Sequence, residues 1–180
     1  LIFHAASAGE FEQLKPILKK INREKYFIIQ SFTSPTVYNK NSTNDLFDVS
    51  CYHPYDLWWK SFYFFYKIKP DIYIITRHDL WPWHVLFASL FKSKIFYINA
   101  NIHLKSIWQN ILIKPFARVI FRRVTKCLVP SEKISVLAEK IISKDKIIIT
   151  GDTRFDQIIN RYEENKNKKY LPDNFLNTFN

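Results

Sequence analysis

Short runs of β-branched and aromatic residues alternate along the chain with longer helix-forming stretches, and this alternation limits the folds open to it more than any other feature. The runs are Ile2 to Ala5, Tyr26 to Gln30, Val49 to Tyr52, Ile72 to Ile75, Ile95 to Ile98, Cys127 to Val129 and Ile147 to Ile149. Each reads as a strand buried on both faces, because a parallel sheet covered by helices needs nearly continuous apolar sequence. Helix signals fill the intervals: Phe11 to Ile21, Asp56 to Lys67, Pro82 to Phe91, Ser106 to Arg122 and Ser131 to Ile142, with a fainter one over Pro35 to Asn44. Pro82 sits where a first turn tolerates proline, and Ser131 is placed to cap a helix. The pattern predicts the α/β class, a Rossmann-like parallel sheet flanked by helices, with ligands expected beyond the carboxyl ends of the strands.

Composition narrows the chemistry. With only two glycines, Gly9 and Gly151, the chain has neither a G-x-G-x-x-G turn nor a Walker A loop. Two cysteines, Cys51 and Cys127, make neither a disulfide framework nor a zinc site, which suits a reducing compartment. No cofactor and no metal are expected. The longest apolar run, Phe62 to Tyr66, is far short of the ~20 residues that cross a bilayer. The first residues lack the charged region of a signal peptide, and the absence of Met reads as a segment of a longer chain. Net charge is +11, and between Lys105 and Lys146 ten basic residues face three acidic ones, so most of that excess is local. Lys114, Arg118 and Arg122, four apart, share one helix face. Such a face attracts a membrane surface or a phosphorylated ligand.

Three strand-to-helix turns carry the remaining candidates. In His4-Ala5-Ala6-Ser7-Ala8-Gly9-Glu10, small residues let a ligand approach, Gly9 permits a positive φ, and Glu10 is displayed at the mouth of the sheet. The plain alternative makes Glu10 a first-turn acid favoured by the helix dipole. In Thr76-Arg77-His78-Asp79-Leu80-Trp81-Pro82-Trp83, ionisable and aromatic side chains follow a buried strand. There the alternative has Asp79 capping the next helix with both tryptophans in the core. His78, Asp79 and His84 fall on no common face for a metal. In Thr150-Gly151-Asp152-Thr153-Arg154-Phe155-Asp156, Arg154 suits a phosphate or carboxylate, or else pairs with Asp152 or Asp156. The segment from Pro54 to Tyr66 is too aromatic for one buried helix face, so some rings are expected at a membrane interface, at a contact with a missing domain, or under stacked RNA bases.

In order, HAASAGE at 4 to 10, FTSPT at 32 to 36, PYD at 54 to 56, HDLWP at 78 to 82, INANI at 98 to 102, VPSE at 129 to 132 and GDTRFDQ at 151 to 157 make the chain resemble the amino-terminal half of the Kdo (3-deoxy-D-manno-octulosonic acid) transferases of lipopolysaccharide assembly. The resemblance implies a GT-B glycosyltransferase, with residues 1–160 as the acceptor-binding lobe and 161–180 as a linker or the start of a donor lobe. It implies inverting, metal-free transfer of Kdo from CMP-Kdo to a lipid A precursor, at the cytoplasmic face of the inner membrane. Glu10 takes the place of the family's proposed general base. Asp79 keeps the second acid of the family's Glu-Thr-Glu-Leu-Trp-Pro segment while Arg77 replaces the first. Arg154 stands for the lysine of Gly-Asn-Leu-Lys-Phe-Asp, so Asp79 and Arg154 are expected to stabilise the transition state. Ser7, Gly9, Ser34, Arg77 and His78, together with Lys114, Arg118 and Arg122, are the expected substrate contacts. An anionic membrane surface is the expected partner, and no nucleic acid. A non-catalytic membrane-surface or RNA-binding module on the same fold is the alternative that the departure at Arg77 keeps open.

Overall fold

The structure, a computed structural model, describes residues 1–78, 80–102, 108 and 110–166. Its first strand, β1 (Ile2–Ala5), is buried at all four positions and lies third across a wholly parallel seven-stranded sheet. Following it are α1 (Ala8–Leu18), β2 (Ile29–Phe32), α2 (Pro35–Asn41), β3 (Val49–Tyr52), α3 (Trp58–Ile68), β4 (Ile72–Thr76) and α4 (Pro82–Leu90). The second half adds β5 (Lys94–Ile98), α5 (Lys114–Phe121), β6 (Lys126–Val129), α6 (Glu132–Ala138), β7 (Ile147–Ile149) and α7 (Thr153–Asn165).

Strand order is β3-β2-β1-β4-β5-β6-β7. The winding reverses between β1 and β4, and such a switch point opens a crevice at the carboxyl edge. Because side chains alternate across a strand, the apolar runs feed two cores. Phe3, Phe11, Leu14 and Phe32 pack beneath α1 and α2. Ile2, Ile75, Val85, Phe121 and Val129 pack beneath the helices of the opposite face.

Several boundaries differ from the sequence expectation. β2 starts at Ile29 because Ile2 pairs with Ile29, which leaves Phe27 60% exposed before the sheet. The edge strands are not buried on both faces, since Val49 and Tyr52 of β3 and Ile148 and Ile149 of β7 are exposed. α1 begins three residues earlier than its apolar pattern because Ser7 caps it. α5 is shorter than Ser106 to Arg122, part of which lies outside the described residues. α7 continues to Asn165, into the stretch read as a linker, where ion pairs from Arg161 to Glu12 and from Lys19 to Glu164 hold it against α1. Cys51 and Cys127 are both free thiols.

Candidate active site at the carboxyl edge

The β1–α1 turn closes on itself through a capping box. Ser7 accepts a hydrogen bond from the Glu10 amide at 3.3 Å, and Glu10 Oε2 accepts from the Ala6 and Ser7 amides at 2.9 and 3.2 Å. Glu10 is 6% exposed, and its carboxylate lies at the positive end of the helix dipole. Gly9 does not use a positive φ. It lies inside the first turn of α1, and a Cβ placed there would meet no atom within 4 Å outside its chain neighbours and the helix backbone.

The left-handed backbone lies elsewhere on the same edge, at Arg77 (φ 54) and Asn99 (φ 50), just after β4 and β5. Asn tolerates this region and Arg does so rarely, so Arg77 must be held. Its amide donates to Ile98 O at 3.0 Å, and its carbonyl accepts from the Tyr97 hydroxyl and, at 3.4 Å, from the Asn101 amide. His78 is exposed beside Asn101, with Nε2 and Nδ2 3.2 Å apart. Asp79 lies outside the described residues.

Buried Asn99 ties the edge together. Its Nδ2 donates to Gln13 Oε1 of α1 at 3.3 Å and to Thr153 Oγ1 of α7 at 2.6 Å, and its Oδ1 accepts from the Thr153 amide. Through this one amide the helices that carry Glu10 and Arg154 in their first turns are fixed to the end of β5. Arg154 is already engaged, with Nε and one terminal nitrogen donating to Asp152 Oδ2 at 2.8 and 2.6 Å. Burial alone would raise the Asp152 carboxyl, but hydrogen bonds from Arg154 and the charges of Arg154 and Arg77 outweigh it and hold the group below the usual carboxylate range. An anionic ligand at Arg154 therefore competes with Asp152. Ser34, half-buried, precedes α2 on the same edge and makes no side-chain cap bond.

Lys114, Arg118 and Arg122 are not gathered with Glu10. They run along and just past α5, which returns the chain to the amino end of β6. Arg118 and Arg122, with Lys140 and Lys146, border a separate basic depression of about 280 Å³. Beside them α5 exposes Phe116 and Val119, which with Trp83 and Leu86 of α4 line an apolar groove of about 290 Å³. Trp81 and Trp83 are 46% and 40% exposed, so neither is a core residue. α3 buries only Ser61 and Phe65 and leaves Trp58, Trp59, Phe62, Tyr63 and Tyr66 exposed.

A second polar group, which the sequence did not reveal, lies under the edge. His4 of β1, His53 after β3 and His84 of α4 meet with ring centroids 3.8 and 4.3 Å apart. Ser31 Oγ donates to Phe3 O and lies 3.1 Å from Nδ1 of both His4 and His53. With its proton so committed, the serine receives Nδ1–H from both rings. His53 Nε2 is then the acceptor for His84 Nδ1–H at 3.0 Å and for the Tyr73 hydroxyl at 3.2 Å. Burial pushes His4 and His84 down to about 3 and His53 well below its ordinary value, and charge on neighbouring imidazoles pushes His4 and His53 further the same way. Among the described residues no group of three His, Cys, Asp or Glu side chains is placed to hold a metal ion.

Asp56 closes this group toward solvent in a pocket of about 130 Å³ that also touches Ala6, Tyr55 and Trp81. Burial raises its carboxyl, against hydrogen bonds from two amides of α4's first turn, His84 at 3.1 Å and Trp83 at 3.4 Å. Asp56 thus makes the cap bonds to α4 that the sequence offered to Asp79. The signal was a carboxylate just after a strand, in His53-Pro54-Tyr55-Asp56. Asp56→Ala leaves those amides unpaired and is expected to lower stability by about 1 kcal/mol in urea unfolding, with Asp56→Asn keeping most of it.

A seven-stranded parallel sheet wound in this order, with polar residues at its carboxyl edge, defines the class as a Rossmann-like α/β domain. Its fold matches UDP-GlcNAc 2-epimerase from Neisseria meningitidis bound to UDP-GlcNAc, with a TM-score of 0.65 at 16% identity, over 92% of this chain and 50% of that one. It also matches the wall teichoic acid polymerase TagF, with a TM-score of 0.57 at 13% identity, over 96% of this chain and 46% of that one. The family described as 3-deoxy-D-manno-octulosonic-acid transferase (kdotransferase) matches residues 1–157, and the chain belongs to that family. It is 30% identical to the 3-deoxy-D-manno-octulosonic acid transferase of Aquifex aeolicus over 122 residues, 66% of this chain and 33% of that protein. The Haemophilus influenzae enzyme of the same name is 24% identical over 163 residues, 87% of this chain and 38% of that protein. The chain thus spans little more than a third of the length of these relatives.

Proposed function

We propose that this chain is the acceptor half of a glycosyltransferase that moves Kdo from CMP-Kdo to a lipid A precursor, with inversion and without a metal. Membership of the Kdo transferase family over residues 1–157 carries the reading. The place of Glu10, in the capped turn after β1 beside the switch point, supports it. In the proposed reaction an acceptor hydroxyl attacks the anomeric carbon of Kdo, the bond to the CMP phosphate oxygen breaks, and the hydroxyl proton passes to Glu10. Arg77 and Arg154 put positive charge on the same edge, where it favours an anionic donor or leaving group. The direct test is Kdo transfer to a lipid A precursor by a protein that carries this chain within the family's full length. Absence of transfer with both substrates supplied would favour the non-catalytic alternative.

The proposed site of work is the cytoplasmic face of the inner membrane, with anionic lipid rather than nucleic acid as the partner surface. Exposed aromatics on α3, the apolar groove between α4 and α5, and the basic stripe along α5 support this, since rings and arginine stems favour the interface. Each basic residue near an anionic surface contributes about 1 kcal/mol, within a Debye length. Co-sedimentation with phosphatidylglycerol-containing vesicles should exceed that with neutral vesicles and fall as salt rises. Equal binding to both kinds would remove the electrostatic part of the proposal.

A further inference from the structure

Helix α7 carries Arg154 in its first turn, yet no residue of the helix is buried. Along α1 it is held by Arg161 to Glu12 at 3.0 Å and Lys19 to Glu164 at 2.9 Å, ion pairs with exposed members that water weakens. Its start has a firmer tie. The Thr153 amide, one of the donors that a helix start leaves without a partner in the helix, donates to Asn99 Oδ1 at 3.3 Å. Asn99 Nδ2 in turn donates to the Thr153 hydroxyl at 2.6 Å and to Gln13 Oε1 at 3.3 Å. Gln13 lies one turn along α1 from Glu10, on the same side of the helix. Asn99 itself stands on a fixed platform. Ile98 O accepts from the Arg77 amide and the Ala100 amide donates to Leu128 O of β6, both at 3.0 Å, so its two chain neighbours are clamped to the sheet. Between them Asn99 turns into the left-handed region at φ 50, which Asn tolerates, and is 4% exposed. Its planar carboxamide, with one acceptor and two donors, meets all three groups at once.

We propose that Asn99 is a positioning residue, which fixes Arg154 relative to Glu10 by tying the first turn of α7 to the sheet and to α1. This role rests on Glu10 and Arg154 forming one glycosyl-transfer site, as proposed above. A cation that meets the charge developing on a leaving phosphate is effective only from a preorganised place. A displacement of about 1 Å, caused by a substitution remote from the reacting atoms, can cost about 10²-fold in rate. Asp152 does not supply that place, because it belongs to the same turn as Arg154, which it holds by two hydrogen bonds, and moves with it. The ion pairs farther along α7 do not supply it either, since they join exposed side chains beyond the first turn. Asn99 is the group that joins this turn to a clamped strand end.

Asn99→Gly is the test, because Gly keeps the left-handed backbone and removes only the three side-chain bonds. In a protein of the family's full length it should lower kcat for Kdo transfer by about 10²-fold, with KM for CMP-Kdo and for the lipid A precursor within about threefold of wild type. In an Arg154→Ala background the same substitution should cost less than about threefold, since the group it places is gone. Amide hydrogen exchange should quicken at Thr153 while β1 and β4 amides keep their protection. A wild-type kcat in Asn99→Gly, or an undiminished loss in the Arg154→Ala background, overturns the proposal. So does loss of protection in β1 and β4, which would make Asn99 a residue of the fold alone. A wild type without transfer would instead remove the glycosyl-transfer reading, and this role with it.

Discussion

In a protein of the family's full length, Glu10→Gln should lower Kdo transfer by roughly 10²–10⁴-fold at saturating substrates, the span that general base catalysis contributes. Gln suits the test because the capping box accepts Glu or Gln alike. Its amide oxygen can still receive the Ala6 and Ser7 amides that now bond to Oε2. The turn and α1 therefore stay in place, and unfolding should shift by no more than about 1 kcal/mol. Only the ability to take a proton is removed, so donor and acceptor binding should survive. Glu10 thus has two separable roles, cap and proposed base. A variant within about threefold of wild type would leave it only the cap, with the chemistry assigned elsewhere.

How much of this was legible in the sequence depends on the distance over which each feature is decided. β1, β3 and β7 begin and end where their β-branched and aromatic runs do, because strand propensity is a local property, although only β1 of the three is buried. The place of Glu10 was legible for the same reason: a strand end, a capping serine and an acid three residues on are contiguous. The Arg154 alternatives were legible, but the choice of Asp152 depends on the geometry of one cap. The stripe of Lys114, Arg118 and Arg122 was readable as a face, yet its separation from Glu10 follows only from α5 returning to the amino edge. Asn99 stood in the INANI segment, but nothing local showed what it does, because its partners Gln13 and Thr153 arrive from α1 and α7 once the strands are ordered. The cluster of His4, His53 and His84 was hidden likewise, its members drawn from β1, a loop after β3 and α4, which adjoin only through the sheet order.

That cluster should make the protein acid-labile well above the range in which its carboxylates titrate. In the folded state the three imidazoles are held neutral, with His4 and His84 pushed down to about 3 and His53 well below its ordinary value, burial being the main cause. The unfolded chain takes up these protons near pH 6.5. Depressed folded values mean that their stability is fully present above pH ~6.5, falls as pH drops, and levels off only near pH ~3. At pH ~5 the difference is about 2 kcal/mol for each of His4 and His84, and His53 adds to it in the same direction. The hydrogen bonds point the same way. A proton on His53 would set Nε2–H against His84 Nδ1–H and lose the acceptor that His84 and Tyr73 share. The nearby carboxylate is that of Asp56, 3.8 Å from His84 Nε2, and its own raised value makes it a weakening counter-charge as pH falls. Urea unfolding free energies taken between about pH 7 and pH 5 should therefore decline steeply. His84→Phe, which keeps an aromatic ring beside Phe65, should flatten that slope even if the variant is less stable throughout. A slope unchanged by the substitution would show that His84 is not the titrating group, and a flat profile in the wild type would show that the buried imidazoles open to solvent before they accept protons.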